Sequence, residues 1–425
     1  MKIHFIGIGG IGVSALAQYY LAKNHKVTGS DLVSSEIIEL LIKKGIKISL
    51  GCHKSDNVPK DVDLIIYSPA VQKDNPERVE DKKIISYPEA LGKLTKKYFT
   101  IAISGTHGKS TTCSMLSLVL VKAGFDPTVI VGTKLKEFGN SNFRMGDSKY
   151  LIIEADEWNA SFLNYYPKII ILTNIEEEHL DYYRDLKHIL ETYKEYISHL
   201  PEDGILVINN DDKNIAKIIN NSLNIKRFSL ENREKLKEVL KIPGIHNIYN
   251  ASAVLAVAKI LNISEDIVYD SISEYNGAWR RFEIKKEVIN NKKIILVSDY
   301  GHHPTEVKAT LEAAREKFPN KRIWCIFQPH QYQRTYFLFN DFVRVFSNAF
   351  IDKIIITDIY DVVGREKSDI KDKVNSKKLV DEIDKNSVIY IPKEKVKRYI
   401  EDNIKEEDII LIMGAGDVYK ILDID

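Results

Sequence analysis

The stretch Ser104–Met115, reading SGTHGKSTTCSM, constrains this chain more than any other. It follows a short apolar run, Tyr98–Ile103, that predicts a strand, and it opens a helix-periodic run, Cys113–Ala123. Strand, glycine loop and helix together are the context of a phosphate-binding loop. Gly105 and Gly108 lack a Cβ, so the backbone can bend sharply and turn its N–H groups toward phosphate oxygens. The helix that follows adds the positive end of its dipole. Lys109 is placed to reach terminal phosphates, and Ser110 offers a hydroxyl to Mg²⁺. A full phosphate-loop pattern wants glycine at position 103, where this chain has Ile103, so the match is to the shortened form G-x-x-G-K-S-T. The competing reading is a plain strand-to-helix turn of small residues. It leaves the Lys-Ser-Thr-Thr that follows Gly108 unexplained.

A chain of 425 residues is long enough for two or three domains, each with its own core. Lysine and arginine total 61 against 60 acids, a net charge of +1, which gives no electrostatic reason to expect nucleic acid or an anionic membrane as partner. Cys52, Cys113 and Cys325 are far apart and have no metal spacing, which fits a reducing compartment. The chain enters a strand at once without a charged-then-apolar leader. No apolar run reaches the roughly 18 residues of a membrane helix. A soluble, cytoplasmic protein is expected.

Strands alternate with helices along the whole chain, and the motifs follow strands. That pattern predicts an α/β fold of three domains, at 1–97, 98–279 and 280–425. In the first, strand Lys2–Ile6 is followed by Gly7-Ile-Gly9-Gly10-Ile-Gly12, a helix to about Lys23, strand His25–Gly29 and then Asp31. This is the dinucleotide-binding fingerprint, with an acid about 20 positions on for a ribose hydroxyl. Helix Ser35–Lys44 and strands Ile46–Leu50 and Asp63–Tyr67 complete a small Rossmann-like sheet. In the second domain, strand Tyr150–Ile153 ends in Glu154-Ala-Asp156-Glu157. A carboxylate there would sit on the ligand edge of an open sheet and suit Mg²⁺. Strand Ile169–Thr173 leads to Asn174 and on to His179 and Asp181. His246, Asn247 and Asn250 precede helix Ala251–Leu261, as caps or as contacts to an adenine edge. The third domain repeats the pattern. Strand Ile294–Val297 ends at Asp299-Tyr300-Gly301-His302-His303, with Thr305 capping a helix over Glu306–Lys317. Strand Arg322–Phe327 ends at Gln328-Pro-His330-Gln331, with Arg334 three residues on, and strand Ile409–Met413 ends at Gly414. His302, His303 and His330 are a poor zinc set, because they have no nearby Cys or third patterned ligand.

With these motifs in order, the chain resembles the Mur ligase family from Gly7 to Asp417. The marks are Gly7–Gly12, Gly105–Thr112, Glu154–Glu157, Thr173–Asp181, His246–Asn250, Arg280–Phe282, Asp299–Glu306, Phe327–Thr335 and Gly414–Val418. The resemblance implies a Rossmann-like domain for a UDP-sugar, a central ATPase-like domain and a Rossmann-like C-terminal domain. It implies an ATP- and Mg²⁺-dependent amide ligase with UDP-N-acetylmuramate and L-alanine as substrates. Gly7, Gly9, Gly10, Gly12 and Asp31 would hold the sugar nucleotide. Gly105, Thr106, His107, Gly108, Lys109, Ser110 and Thr111 would hold the ATP phosphates. His246, Asn247 and Asn250 would lie near adenine, and Arg281 and Asp299 would reach the nucleotide. Ser110 and Glu154 would hold one Mg²⁺, and His179 a second. Tyr300, His302, His330 and Arg334 would face the substrates, and Lys109, His179 and Arg334 would carry the catalysis. Gln331 departs from the family, which has a second arginine there. A ligase adding a preformed peptide to the same sugar nucleotide is the neighbouring reading. An NAD-dependent oxidoreductase built on Gly7–Gly12 is the reading from a different class, and it leaves Lys109 and Ser110 without a task.

Overall fold

A computed structural model describes residues 1–180, 182–220, 222–231, 233–362 and 368–422. Its described residues contain three sheets. The first runs β3-β2-β1-β4-β5 and is parallel throughout, with β1 Lys2–Ile6, β2 Lys26–Asp31, β3 Lys47–Leu50, β4 Leu64–Tyr67 and β5 Ile84–Ser86. The second has β6 Phe99–Ser104, β7 Thr128–Leu135, β8 Ser141–Arg144, β9 Tyr150–Glu154, β10 Ile169–Leu172, β11 Ile205–Asn209 and β12 Ile225–Phe228. Its order is β12-β11-β10-β6-β9-β7-β8, and only the β7–β8 hairpin is antiparallel. The third has β13 Glu283–Ile289, β14 Lys292–Asp299, β15 Ile323–Phe327, β16 Lys353–Ile356, β17 Val388–Tyr390 and β18 Ile409–Met413. Its order is β13-β14-β18-β15-β16-β17, with β13 as an antiparallel edge.

The central strands are apolar on both faces, as parallel strands covered by helices must be. In β18, Ile409, Leu411 and Met413 join the core on one side, while Ile410 and Ile412 join the core on the other. This period of two sends successive side chains into separate cores. Each such residue is fully or nearly fully buried, which stabilises the fold by about 1.5–3 kcal/mol per side chain relative to exposure.

Residues of the chain group into two compact units. One comprises Met1–Glu176, Lys187–Glu231 and Ala251–Ile272, and the other Glu177–Leu186, Asn232–Asn250 and Ser273–Asp425. The first two sheets share a unit because helix Ile11–Ala22 carries a polar stripe against the β7–β8 hairpin. Gln18 donates to Asn142 Oδ1 at 2.8 Å, Asn142 Nδ2 to Ser14 Oγ at 2.8 Å, and Ser141 Oγ to Gln18 Oε1 at 3.1 Å. Lys44 Nζ caps the network on Gln18 Oε1 at 2.7 Å. Gln18, Asn142, Ser14 and Ser141 are buried, and a buried polar group left unbonded costs about 1–3 kcal/mol, so the stripe fixes the register of that contact.

Several expected boundaries move. Between Gly139 and Gly146 lies β8, so the glycines there frame a hairpin. His246, Asn247 and Asn250 lie within helix Ile245–Ile260, which begins earlier than Ala251, so they do not cap it. Asn247 Nδ2 instead reaches back to the Pro243 carbonyl at 2.7 Å. His303, not Thr305, caps helix Pro304–Lys317: its side chain accepts the Thr305 N–H, and Glu306 closes a capping box. Cys52, Cys113 and Cys325 are free thiols, and no described helix is long and apolar enough to cross a membrane.

Candidate functional site

In the first unit, glycine loops occupy the ligand edges of two sheets. The first follows β1, where the strand order turns from β2 on one side to β4 on the other, the place where open α/β sheets bind ligands. Gly7 has φ +72, and its N–H and that of Ile8 both donate to the Ser30 carbonyl at 2.9 and 3.0 Å. Asp31 accepts the Gly9 N–H on Oδ2 and the Leu32 N–H on Oδ1, each at 2.8 Å. The acid expected to meet a ribose hydroxyl therefore shapes the loop itself. Ser30 is held in turn by buried Glu77, whose carboxylate also takes His4, His53 at 3.0 Å and Asn57 at 2.6 Å. Burial alone would raise the Glu77 carboxyl, but these hydrogen bonds outweigh it and bring it down to about 2.

The second loop follows β6, again at a switch point, since β9 and β10 flank β6. Gly105 has φ +126, and a Cβ on it would meet Thr173 Oγ1 at 2.1 Å, so only glycine fits. Asn174, just past β10, shapes the loop by accepting the Thr106 N–H on its carbonyl at 3.0 Å and the His107 N–H on Oδ1 at 2.8 Å. Gly108, at φ +83, caps helix Lys109–Lys122, and Ser110 and Thr111 lie buried in its first turn. Lys109 Nζ donates to the Gly105 carbonyl at 2.7 Å, to Thr106 O at 3.2 Å and to Glu157 at 2.8 and 3.1 Å. Burial disfavours its charge, but Glu157, Asp156 and Glu154 win and hold the ammonium above its ordinary value. Ser110 Oγ donates to Glu154 Oε2 at 3.1 Å, and Gly132 N–H donates to Glu154 Oε1 at 2.6 Å. A Cβ on Gly132 would lie 2.6 Å from the Glu154 carboxylate, so that close approach is another steric choice.

In the second unit, the loops after β14, β15 and β18 carry the remaining residues. Asp299 accepts the Phe282 and Gly301 N–H groups at 2.8 Å each and the Thr310 hydroxyl at 3.2 Å, and burial pushes its carboxyl up. Arg281 lies over the Tyr300 ring at 4.8 Å. Buried Arg280 donates to the Gly414 and Gly416 carbonyls. His302 donates to Tyr300 O, 3.0 Å away, and burial lowers its imidazole to about 4 despite Glu306. His330 stacks on Tyr360, with centroids 5.4 Å apart. Arg334 is buried and places Nε and Nη2 on Glu178 Oε1 at 2.9 and 2.7 Å, while Nη1 meets His330 Nδ1 at 3.0 Å. Arg334, with the imidazoles of His179, His303 and His302, holds buried Glu178 well below the usual carboxylate range, although burial works against it. A cleft of about 290 Å³, open to solvent, is lined by Glu178, His179, Gln331, Gln333, Arg334 and Phe337 among others. Gln331 has φ +71 and precedes helix Tyr332–Phe337, so it and Arg334 do share one cleft. His179, at φ +56, belongs to this unit and receives the Tyr182 and Tyr183 N–H groups on its carbonyl at 2.9 Å. Asp181 lies outside the described residues.

The acid run points to Glu154 by sequence but assigns no role to Glu157, the Lys109 partner, although both stand in the same motif. Asn174 and Thr173 also escape a reading by residue type, and their one signal is a position just past a buried strand on the ligand edge.

Fold and loops together define an α/β nucleotide-triphosphate enzyme with a separate glycine-loop sheet in front of its phosphate loop. Residues 2–99 match the Mur ligase catalytic domain, residues 103–240 the Mur ligase middle domain, and residues 280–416 the Mur ligase glutamate ligase domain. The chain belongs to the Mur ligase family, which uses ATP, and the oxidoreductase reading falls with that. It is 42% identical to the UDP-N-acetylmuramate–L-alanine ligase of Clostridium botulinum strain Langeland over 449 residues, spanning 99% of this chain and 96% of that protein. It is 40% identical to the enzyme of the same name from Acetivibrio thermocellus, over 99% of this chain and 94% of that protein. Among solved structures, the UDP-N-acetylmuramate–alanine ligase of Thermotoga maritima superposes with a TM-score of 0.80 at 28% identity, covering 99% of this chain and 97% of the other. A murein peptide ligase from Psychrobacter arcticus shares the fold, with a TM-score of 0.74 at 22% identity over 99% of this chain and 97% of that one.

Proposed function

We propose that this protein is an ATP-dependent ligase joining L-alanine to UDP-N-acetylmuramate in peptidoglycan precursor synthesis, and that it works in the cytoplasm. The observation that carries the reading is the phosphate loop itself, where Lys109 and the Ser110–Glu154 pair converge, on a chain 40–42% identical over almost its full length to ligases of that name. The domain limits that go with it are 97/98 and 279/280.

The reaction joins two anions before it joins an amine. An oxygen of the muramoyl carboxylate attacks the γ-phosphorus of ATP, ADP leaves, and an acyl phosphate results. The amine of alanine then attacks the acyl carbon, phosphate leaves, and an amide forms. With the Gly7, Ile8, Gly9 and Gly10 N–H groups held by Ser30, Asp31 and the Gly7 carbonyl, the Gly7–Gly12 loop would offer the pyrophosphate the first turn of helix Ile11–Ala22 and no cationic side chain. In the second loop, the N–H groups at the helix start, Gly108–Thr111, and the Lys109 ammonium spread the charge that builds on the transferring phosphoryl group. Lys109 makes its bonds through a flexible stem, so it can leave Glu157 for a phosphate oxygen. Ser110 Oγ and Glu154 Oε2 are hard oxygen donors 3.1 Å apart, a set that fits Mg²⁺. When bound, Mg²⁺ would neutralise phosphate charge there. The His179 imidazole is a poorer magnesium ligand, so its role is the secondary one. Arg281 and Asp299 organise the nucleotide side of the second unit, Asp299 by pinning the Phe282 backbone. His246, Asn247 and Asn250 serve the adenine from their helical turn. For alanine, the Arg334–Glu178 pair offers both signs of charge to a zwitterion, with Gln331, His330, His302 and Tyr300 around it.

The test is isotope transfer. UDP-N-acetylmuramate labelled with ¹⁸O in its lactyl carboxylate is incubated with ATP, Mg²⁺ and L-alanine. One labelled oxygen per turnover is expected in the released phosphate, with alanyl product by mass spectrometry. Unlabelled phosphate, or product formed only with a preformed tripeptide, would reject the reading.

A further inference from the structure

Gly12 is the last glycine of the first loop, yet no turn requires it. It lies in the first turn of helix Ile11–Ala22 and is absent from the glycines with positive φ. Space is what excludes a side chain: a Cβ on Gly12 would stand 2.6 Å from the Tyr87 hydroxyl oxygen and 2.8 Å from its Cζ. Tyr87 opens helix Tyr87–Thr95, and a capping box fixes that opening. Ser86 Oγ accepts the Glu89 N–H, and Glu89 Oε2 accepts the Ser86 N–H at 2.7 Å, with Pro88 stiffening the turn. The ring is thus held rigidly beside the N-terminus of Ile11–Ala22. It is half-buried, and among the described residues its hydroxyl makes no protein hydrogen bond. A phenolic donor with no protein partner, fixed beside the last glycine of the Gly7–Gly12 loop, suits an anionic oxygen of a bound ligand.

We infer that Tyr87 is a substrate-binding and specificity residue that donates its phenolic hydrogen to an anionic oxygen of the sugar nucleotide, either its pyrophosphate or its lactyl carboxylate. The assignment rests on the proposed ligase function. It also gives Gly12 its reason: the glycine clears room for the ring and makes no demand of its own on the nucleotide.

Calorimetry of wild type and Tyr87→Phe with UDP, with UDP-N-acetylmuramate and with ADP tests it. Tyr87→Phe is expected to bind UDP-N-acetylmuramate about tenfold more weakly, as loss of one hydrogen bond to a charged group implies, with ADP affinity unchanged. A matching loss for UDP assigns the contact to the pyrophosphate, and a loss for the full sugar nucleotide alone assigns it to the carboxylate. Unchanged affinity for both overturns the assignment. As a second arm, Gly12→Ala is expected to weaken sugar-nucleotide binding in wild type but not in a Tyr87→Ala background. An equal loss in both backgrounds would show that the ring does not own the glycine. Wild-type protein that binds no UDP-N-acetylmuramate defeats the functional reading and this assignment with it. Binding by wild type with an indifferent Tyr87→Phe defeats this assignment alone.

Discussion

The two glycine loops of the first unit look alike in the sequence and are held by side chains of opposite charge. Each follows a strand from which the strand order runs out to both sides, and each opens a helix. The Gly7–Gly12 loop is held by an acid: Asp31, on β2, is spent on two backbone N–H groups, and residues 7–12 include no cation. In the Gly105–Ser110 loop the charged side chain is Lys109, which holds two loop carbonyls and Glu157 and can be drawn off them. A diphosphate that is only held needs fixed N–H groups. A phosphoryl group that is transferred needs charge able to follow it. On the proposed function, the difference separates a handle from a reaction centre, within one compact unit.

The sharpest way to break this contrast is Lys109→Ala. Phosphate release should fall by at least about 10²–10³-fold, the usual scale for removing one preorganised electrostatic contact from a transition state. The same change strands Glu157, which is 2% exposed, without its cation, so stability should drop by an amount on the order of 3–5 kcal/mol. Lys109→Ala with Glu157→Gln should recover most of the stability and none of the activity. Recovery of activity would mean that Lys109 matters only as a structural partner.

Acid should reveal a second difference, between the first sheet and the third. His302 is lowered to about 4 in the folded chain from an ordinary 6.5, so the unfolded chain binds the extra proton first as pH falls. Stability is full above about pH 6.5 and is lost between there and about pH 4, on the order of 3 kcal/mol. Glu77 is lowered to about 2 from 4.5, so its contribution is present above pH 4.5 and is lost between there and about pH 2. His302→Gln should flatten the first window and leave the second. A denaturation series by urea at each pH checks this, and an unchanged slope between pH 6.5 and 4 in the variant would exclude His302 as the source.

Smaller effects should mark the metal and the amino acid. Glu154→Gln should raise the Mg²⁺ concentration needed for half-maximal rate, and His179→Ala should raise it less, because Mg²⁺ prefers oxygen. A reversed order would move the metal away from the Ser110–Glu154 pair. Gln331→Arg should lower KM for L-alanine by up to about tenfold, and Arg334→Ala should raise it. If neither KM moves, the cleft that these residues line is not the amino-acid site.

Much of the fold and half of the chemistry are legible in residue order alone. The succession of strand and motif predicts three sheets, because a buried parallel strand ends where its ligand edge begins. Phosphate-loop chemistry is readable at Gly105, Gly108, Lys109 and Ser110 because those residue types have few other reasons to fall at that spacing. What stays hidden depends on partners far away in the chain. Lys109 is 48 residues from Glu157, Gly12 owes its identity to Tyr87, and Arg334 is bonded to Glu178 across 156 residues. Local pattern carries no record of such pairs. Helix limits at Ile245 and Pro304 depart from expectation for a simpler reason: histidine and asparagine suit both caps and first turns, and only backbone angles separate the two.

The central claim is the division of labour between the two loops, and one titration tests it most directly. UDP-N-acetylmuramate and a non-hydrolysable ATP analogue are titrated in turn into Lys109→Ala by calorimetry. Sugar-nucleotide Kd within about twofold of wild type, with nucleotide affinity reduced at least about tenfold, is the predicted result. A fall in sugar-nucleotide affinity equal to the fall for the ATP analogue would contradict it, because the two ligands would then share one site.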